Sequence, residues 1–448
     1  MPTPMTAADV AWLRMETPTN PMTITGVMVL DAPMDRATLE RLVEQRLLLF
    51  DRFRSYIDDP QGRVPRWTLE SPFNLDAHLL PLQLPSPGGQ SDLEAAVSEL
   101  MSTPLDFSIA PWTIHLVERF GKGSALIVRI HHCVADGIAL IHVLLSLADE
   151  HWDPTRIKGR REPAPLRQRV ARTVKGALGE TADLLTRPRH LGERLRTGGR
   201  VSRSLGHLLL MGRDSETVFK EGVTPRKRAA WSQPVALDTA KAVGRAAGAK
   251  VNDVLLAAAT GALRSYLDAR NEPTAGVEVR AAVPFNVRPP ERAFELGNAF
   301  GLVFLALPVG VEDPVERLVV LKERMDAIKA SEEPAVTYGI LQSIGRAPRW
   351  AHRQVVRMFS SKASAVMTNV PGPTETVHLL GVPVGALMFW VPQAGDIGLG
   401  VSLISYAGTV RLGIAADANL VADPWALVRG FETEFADLAR TFVGVPGR

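Results

Sequence analysis

Two adjacent histidines, His131 and His132, stand where one kind of backbone must stop and another must start. Before them, residues 124–130 (SALIVRI) are short, apolar and rich in β-branched side chains, which predicts a strand. After them, residues 138–148 (IALIHVLLSLA) are apolar at nearly every position and long enough for a buried helix. The join reads HHCVADG, so the chain turns through Asp136 and Gly137 directly after the histidines. That constrains the fold to units in which a buried strand feeds a buried helix. An imidazole there has an ordinary pKa of about 6.5 and can accept a proton at neutral pH. The carboxylate of Asp136 can hold the turn or a partner charge.

Three readings compete for the pair. A metal site lacks its usual company: there is no HExxH and no set of four Cys and His ligands. A purely structural pair, satisfied by hydrogen bonds, is the plain alternative. A general base fits the pattern better, because the histidines sit in a defined turn ahead of an Asp-Gly, not alone on an apolar face. Cys133 has two readings as well, an acyl-accepting nucleophile or a small buried filler, and the filler is preferred.

Further blocks extend the pattern. Residues 5–17 (MTAADVAWLRMET) and 20–26 (NPMTITG) open the chain; 251–255 read VNDVL; 283–289 read VPFNVRP, followed by Gly297 and Asn298; 368–373 read TNVPGP. With HHCVADG, these resemble the bacterial wax ester synthase/diacylglycerol acyltransferase family, within the superfamily of CoA-dependent acyltransferases and condensation domains. The likeness covers nearly the whole chain. One departure is visible: the family carries Pro-Leu-Trp shortly before the HH strand, and here the chain reads Ala110, Pro111, Trp112. Trp112 is therefore assigned to support of the first half.

The resemblance implies an α+β fold of two chloramphenicol-acetyltransferase-like domains, with mixed sheets and flanking helices around a central cleft. It implies transfer of a fatty acyl group from acyl-CoA to a long-chain alcohol, giving a wax ester, or to diacylglycerol, giving triacylglycerol. His132 would be the base, with His131, Asp136 and Gly137 shaping the motif and transfer direct. Asp136 is expected to pair with an arginine, Arg288 before Arg411, and not to complete a triad. Asn252, Asp253, Asn286, Thr368 and Asn369 would line the substrate cleft. No metal or bound cofactor is implied, and CoA leaves as product. A condensation-type or polyketide-associated acyltransferase, or a non-catalytic lipid-droplet protein that kept the fold, are the alternatives.

Composition sets the remaining bounds. The 448 residues, 46% hydrophobic and 22% charged, supply material for two domains, 1–150 and 216–448, joined by a linker over 151–215. A single cysteine excludes an internal disulfide. The start lacks a basic region followed by an apolar core, so no signal peptide is expected, and no apolar run approaches the roughly 20 residues of a membrane span. The expected setting is cytoplasmic. Net charge is only +3, but residues 156–213 carry fifteen Lys or Arg against four Asp or Glu. Interleaved leucines there suggest amphipathic helices on a membrane or lipid-droplet surface, or else a solvated linker. The scarcity of aromatic residues in that segment argues against nucleic acid.

Periodicity further predicts strands at 22–30, 113–118, 229–237, 277–284 and 300–307. It predicts helices at 34–47, 92–101, 253–270 (with Asn252 as N-cap), 314–330, 336–359 and 424–443, several short strands between 363 and 416, and an irregular polar stretch around Trp67.

Overall fold

A computed structural model describes residues 2–61, 64–136, 143, 146–151, 203–220, 222–288 and 297–444. Gly137, most of the helix expected after it, and residues 152–202 of the basic linker lie outside the described residues.

Two mixed sheets form the frame. The first runs His378–Leu379, Val382–Trp390, Thr23–Leu30, Gly123–His131, Trp112–Phe120, Leu79–Pro81; its pairs are antiparallel except the last. The second runs Phe300–Leu307, Val279–Asn286, Ala365–Pro371, Leu399–Tyr406, Thr409–Asp417, Lys227–Trp231. Its inner pairs, Val279–Asn286 with Ala365–Pro371 and the latter with Leu399–Tyr406, are parallel. The sheets do not follow the chain. Val382–Trp390, late in the sequence, pairs with Thr23–Leu30 and so completes the first sheet. Between the sheets an apolar cluster mixes both halves: Val27, Ala125 and Ile127 with Trp231, Met388, Trp390 and Ala415.

The helices Leu237–Ala247, Val251–Asp268, Pro314–Lys329 and Pro424–Val443 contribute to the second half's core, where Leu255, Leu263, Leu318, Leu321, Phe431 and Leu438 are buried. The first half buries Leu39, Leu42 and Val43 of the Arg36–Gln45 helix against Leu126, Val128 and Ile130 of the HH strand.

Four sequence expectations change. The stretch around Trp67 is a small sheet, Arg66–Leu69 between Thr3–Pro4 and Ser55–Asp58. The strand expected over 229–237 ends at Trp231; Val235–Ala236 is a separate short pairing, and a helix starts at Leu237. That helix is alanine-rich and buries Ala240, Val243 and Gly244. The Val251–Asp268 helix is capped by Lys250, not Asn252, because the Asp253 carboxylate accepts from the Lys250 N–H at 3.0 Å. The single helix expected over 336–359 is two, Glu333–Ile344 and Arg349–Ser360. Pro348 starts the second, and Gly345 permits the break to press on the first helix: a Cβ there would lie 1.7 Å from the Ala7 carbonyl oxygen.

Candidate active site

The strand Gly123–His131 delivers both histidines to the seam between the halves. Pairing of Thr23 with His131 fixes the register, and the turn is held by two backbone bonds, His131 N–H to the Pro111 carbonyl at 3.0 Å and His132 N–H to the Met22 carbonyl at 2.7 Å.

His131 turns into the first half. Its Nδ1 accepts from the Cys133 N–H at 3.1 Å, so the ring proton sits on Nε2, which faces Glu16 Oε2 at 3.3 Å. Phe107 stands edge-on at 5.0 Å. Both nitrogens are therefore engaged.

His132 turns to a cavity. Its Nδ1 lies 2.9 Å from Asn298 Oδ1. The amide's orientation follows from its other end: Nδ2 donates to Asp9 Oδ1 at 3.0 Å and to the His132 carbonyl at 2.9 Å, both acceptors. Oδ1 thus faces the ring, and Nδ1 must carry the hydrogen. Nε2 keeps its lone pair, and His132 lines a cavity of about 140 Å³. Asp9 is fully buried and paired with Arg52 at 2.9 Å. Arg52 also donates to the Val134 carbonyl at 2.8 Å, tying the turn to the same charge pair. Trp12, one helical turn after Asp9, stacks on the His132 ring at 4.1 Å with 17° between planes. Phe300 closes the ring's surroundings at 5.6 Å. Burial pushes the His132 imidazole down to about 4, with the Asn298 hydrogen bond and the Asp9 charge pulling only part of the way back. The ring is neutral at pH 7.

Asp136 does not touch His132 among its observed partners. Its Oδ2 meets Arg288 at 2.6 Å and accepts the Ala299 N–H at 2.9 Å, while Arg288 also donates to the Gly297 carbonyl at 2.7 Å. Gly297 has φ +117°, a conformation that favours glycine, and its carbonyl also receives the Asp136 N–H at 3.3 Å. The turn of the first half is thereby fastened to residues 297–299 of the second. Arg411 is elsewhere, donating to the Ser232 carbonyl.

Of the other sequence candidates, Asn286, Thr368 and Asn369 line the His132 cavity, and Asn252 reaches it through Asn369, whose Nδ2 donates to Asn252 Oδ1 at 2.8 Å. Asp253 does not line it; that carboxylate is the helix cap and lies 3.9 Å from Lys329. Trp112 is buried in the first half, donating to the Phe53 carbonyl at 2.8 Å and stacked on His78. The Cys133 thiol is fully buried, and burial raises its pKa well above the ordinary range. Asp9, Trp12, Arg52 and Asn298 surround His132 without having been assigned by motif reading. The available signal was an Asp three residues before a Trp, on a helix otherwise apolar but for Arg14.

Past Trp12 and Phe300 the cavity adjoins a second of about 90 Å³, lined by Met15, Phe304, Leu341, Ile344, Val356 and Phe359. Its wall is almost wholly apolar. The arrangement is a neutral imidazole whose Nε2 has no hydrogen-bond partner among the described residues, beside a pocket lined for hydrocarbon. Among the described residues no group of three His, Cys, Asp or Glu is placed to hold a metal ion, and no helix is long and apolar enough to cross a membrane.

Two family models match. The wax ester synthase/diacylglycerol acyltransferase catalytic domain matches residues 5–255, and the C-terminal domain of the same family matches 296–439. A probable diacylglycerol O-acyltransferase of Mycobacterium tuberculosis is 27% identical over 380 residues, 84% of this chain and 81% of that protein. Among solved structures, a wax ester synthase/diacylglycerol acyltransferase from Marinobacter aquaeolei aligns over 99% of this chain and all of its own, with TM-score 0.69 and 20% identity. The starter condensation domain of rhizomide synthetase, solved with C8-CoA and Leu-SNAC, aligns over all of this chain and 95% of its own with TM-score 0.58 and 13% identity.

Proposed function

From the premise that the chain belongs to the wax ester synthase/diacylglycerol acyltransferase family, we propose that it is an O-acyltransferase whose base is His132. It moves a fatty acyl group from acyl-CoA to a long-chain alcohol or to diacylglycerol. The observation that carries the reading is the hydrogen placed on His132 Nδ1 by Asn298, which leaves Nε2 as the ring's acceptor on a residue that lines the cavity.

The acceptor hydroxyl gives its proton to Nε2 as its oxygen attacks the thioester carbonyl carbon. The tetrahedral intermediate collapses with cleavage of the C–S bond. CoA leaves as the thiol, taking the proton back from Nε2. Asn298 and Asp9 face the imidazolium that forms between these steps, and Trp12 holds the ring plane. Thr368, Asn369 and Asn286 supply polar contacts from the second half, and the apolar pocket takes a hydrocarbon chain. Direct transfer fits the Cys133 thiol, which burial keeps protonated. The reaction requires no metal or bound cofactor. Its acceptors, long-chain alcohol or diacylglycerol, are water-insoluble, so the enzyme works at a membrane or lipid-droplet surface.

The test is product formation from palmitoyl-CoA with hexadecanol or diacylglycerol, with the His132→Ala protein alongside. Ester from the parent and a loss of about a hundredfold or more in the variant supports the reading. Absence of ester with either acceptor refutes the activity. A stoichiometric acyl adduct on Cys133, found by intact mass without acceptor, refutes direct transfer.

A further inference from the structure

The helix Arg349–Ser360 has two unlike faces. Inward, Val355, Val356 and Phe359 line the apolar pocket, and buried His352 meets the Ala11 carbonyl at 3.1 Å. Outward, Arg349, Arg353 and Arg357 follow Arg346 at spacings of three, four and four residues, which aligns them along one side, and all four are exposed. Trp350 on this side is 67% exposed, the most exposed aromatic among the large hydrophobics left open to solvent. Residues 345–360 contain no Asp or Glu. Positive charge accumulates further at the Ala347 carbonyl, where Arg14 donates at 2.8 Å; burial and then the nearby Arg349 charge lower the Arg14 pKa.

A second helical stretch, 203–210, packs beside this helix. Its Leu208 is buried with Ala282, Phe304, Ala363 and Ile397, in a cluster that Phe359 packs against. Its Leu209 and Leu210 are 54% and 88% exposed. The Arg349–Ser360 helix thus carries arginines and an exposed tryptophan outside the apolar pocket that its other face lines, and the neighbouring stretch 203–210 carries exposed leucines.

We propose that this face, with Trp350 and Leu210 inserting and Arg346, Arg353 and Arg357 on the headgroups, docks the protein on an anionic lipid surface. Interfacial tryptophan beside arginine, with apolar side chains and no carboxylates, matches the polarity gradient of a bilayer boundary. The proposal rests on the reading of the substrates as lipids, since docking here brings the apolar pocket within a helix diameter of the layer that holds them.

Flotation with phosphatidylcholine vesicles, with and without phosphatidylglycerol, tests it on the full chain. The parent should float with the phosphatidylglycerol vesicles. The triple variant Arg346→Gln, Arg353→Gln, Arg357→Gln should bind on the order of a hundredfold more weakly. Trp350→Ala should bind several-fold more weakly at both low and high salt, because its contribution is not screened. Octanoyl-CoA and a short, water-soluble alcohol serve as the control: both variants should turn these over at the parent's rate. Parent-like binding by the triple variant and by Trp350→Ala overturns the proposal and moves any docking to another surface. No binding by the parent overturns it too. Failure of the soluble assay in the parent, with docking intact, would instead count against the acyltransferase reading.

Discussion

His131 and His132 are neighbours in sequence and opposites in setting. The region that receives His131 is the closed interior of the first half, where Cys133 and Glu16 occupy both ring nitrogens. The region that receives His132 is the seam between halves, where Asn298 occupies one nitrogen and the cavity lies beside the other. The rings also carry their hydrogens on different atoms, Nε2 in the first and Nδ1 in the second. A ring with both nitrogens committed holds structure; a ring with one held and one open can carry a proton between substrates. Alternation along an extended backbone is enough to send adjacent side chains to such different places.

Exchanging the histidines one at a time is the most direct way to break this comparison. His132→Ala should lower turnover by about 10²–10⁴-fold with little change in melting temperature. His131→Ala should keep turnover within about tenfold and lose stability instead. Equal losses of rate in the two variants would erase the distinction.

The fastening between halves comes next. Asp136→Asn removes the charge partner of a guanidinium whose side chain is only 5% exposed. The expected cost is on the order of 3–5 kcal/mol, read as a fall in melting temperature, with Arg288→Ala showing a similar loss. A variant with parent stability and a specific loss of turnover would return Asp136 to a catalytic role.

Asn298→Ala sharpens the comparison from the other side. Without the amide, Nδ1 no longer holds its hydrogen in place, and turnover should drop on the order of 10–100-fold while KM changes little. Parent-like turnover would show that the hydrogen's position on the ring does not matter.

The smallest effect is a displacement along the pH axis. Because burial holds His132 at about 4, its neutral, proton-accepting form persists down to that pH and is lost below it. The acid limb of kcat/KM should therefore lie near pH 4. Trp12→Ala opens the ring to water, which favours the charged form and moves the limb up toward about 6.5. A parent enzyme with its limb already at about 6.5 would contradict the buried setting of the ring.

Much of this was legible in the chain. The β-branched run before His131 and the turn residues after it placed both histidines at a strand end, and the Phe300–Leu307 strand and Pro424–Val443 helix lie where periodicity put them. The partners of His132 were not legible from spacing. Asn298 is 166 positions from His132, and Asp9 is 289 from Asn298, so no local pattern links them. The break at Pro348 does carry a local signal, a proline inside a helical pattern, but apolar residues recurring at helical spacing on both sides of it mask that signal.

The strand exchange has a consequence for how the protein is made. Thr23–Leu30 acquires one neighbour, Gly123–His131, early in synthesis, but its other neighbour is Val382–Trp390. About 250 further residues leave the ribosome before that edge can be covered, which at usual elongation rates takes on the order of 10 s or more. During that interval a strand carrying Val27, Met28, Val29 and Leu30 presents unpaired amides and carbonyls to every other nascent chain. What shields this edge while the second half is still being translated therefore bears on yield in a cell alongside the stability of the finished protein.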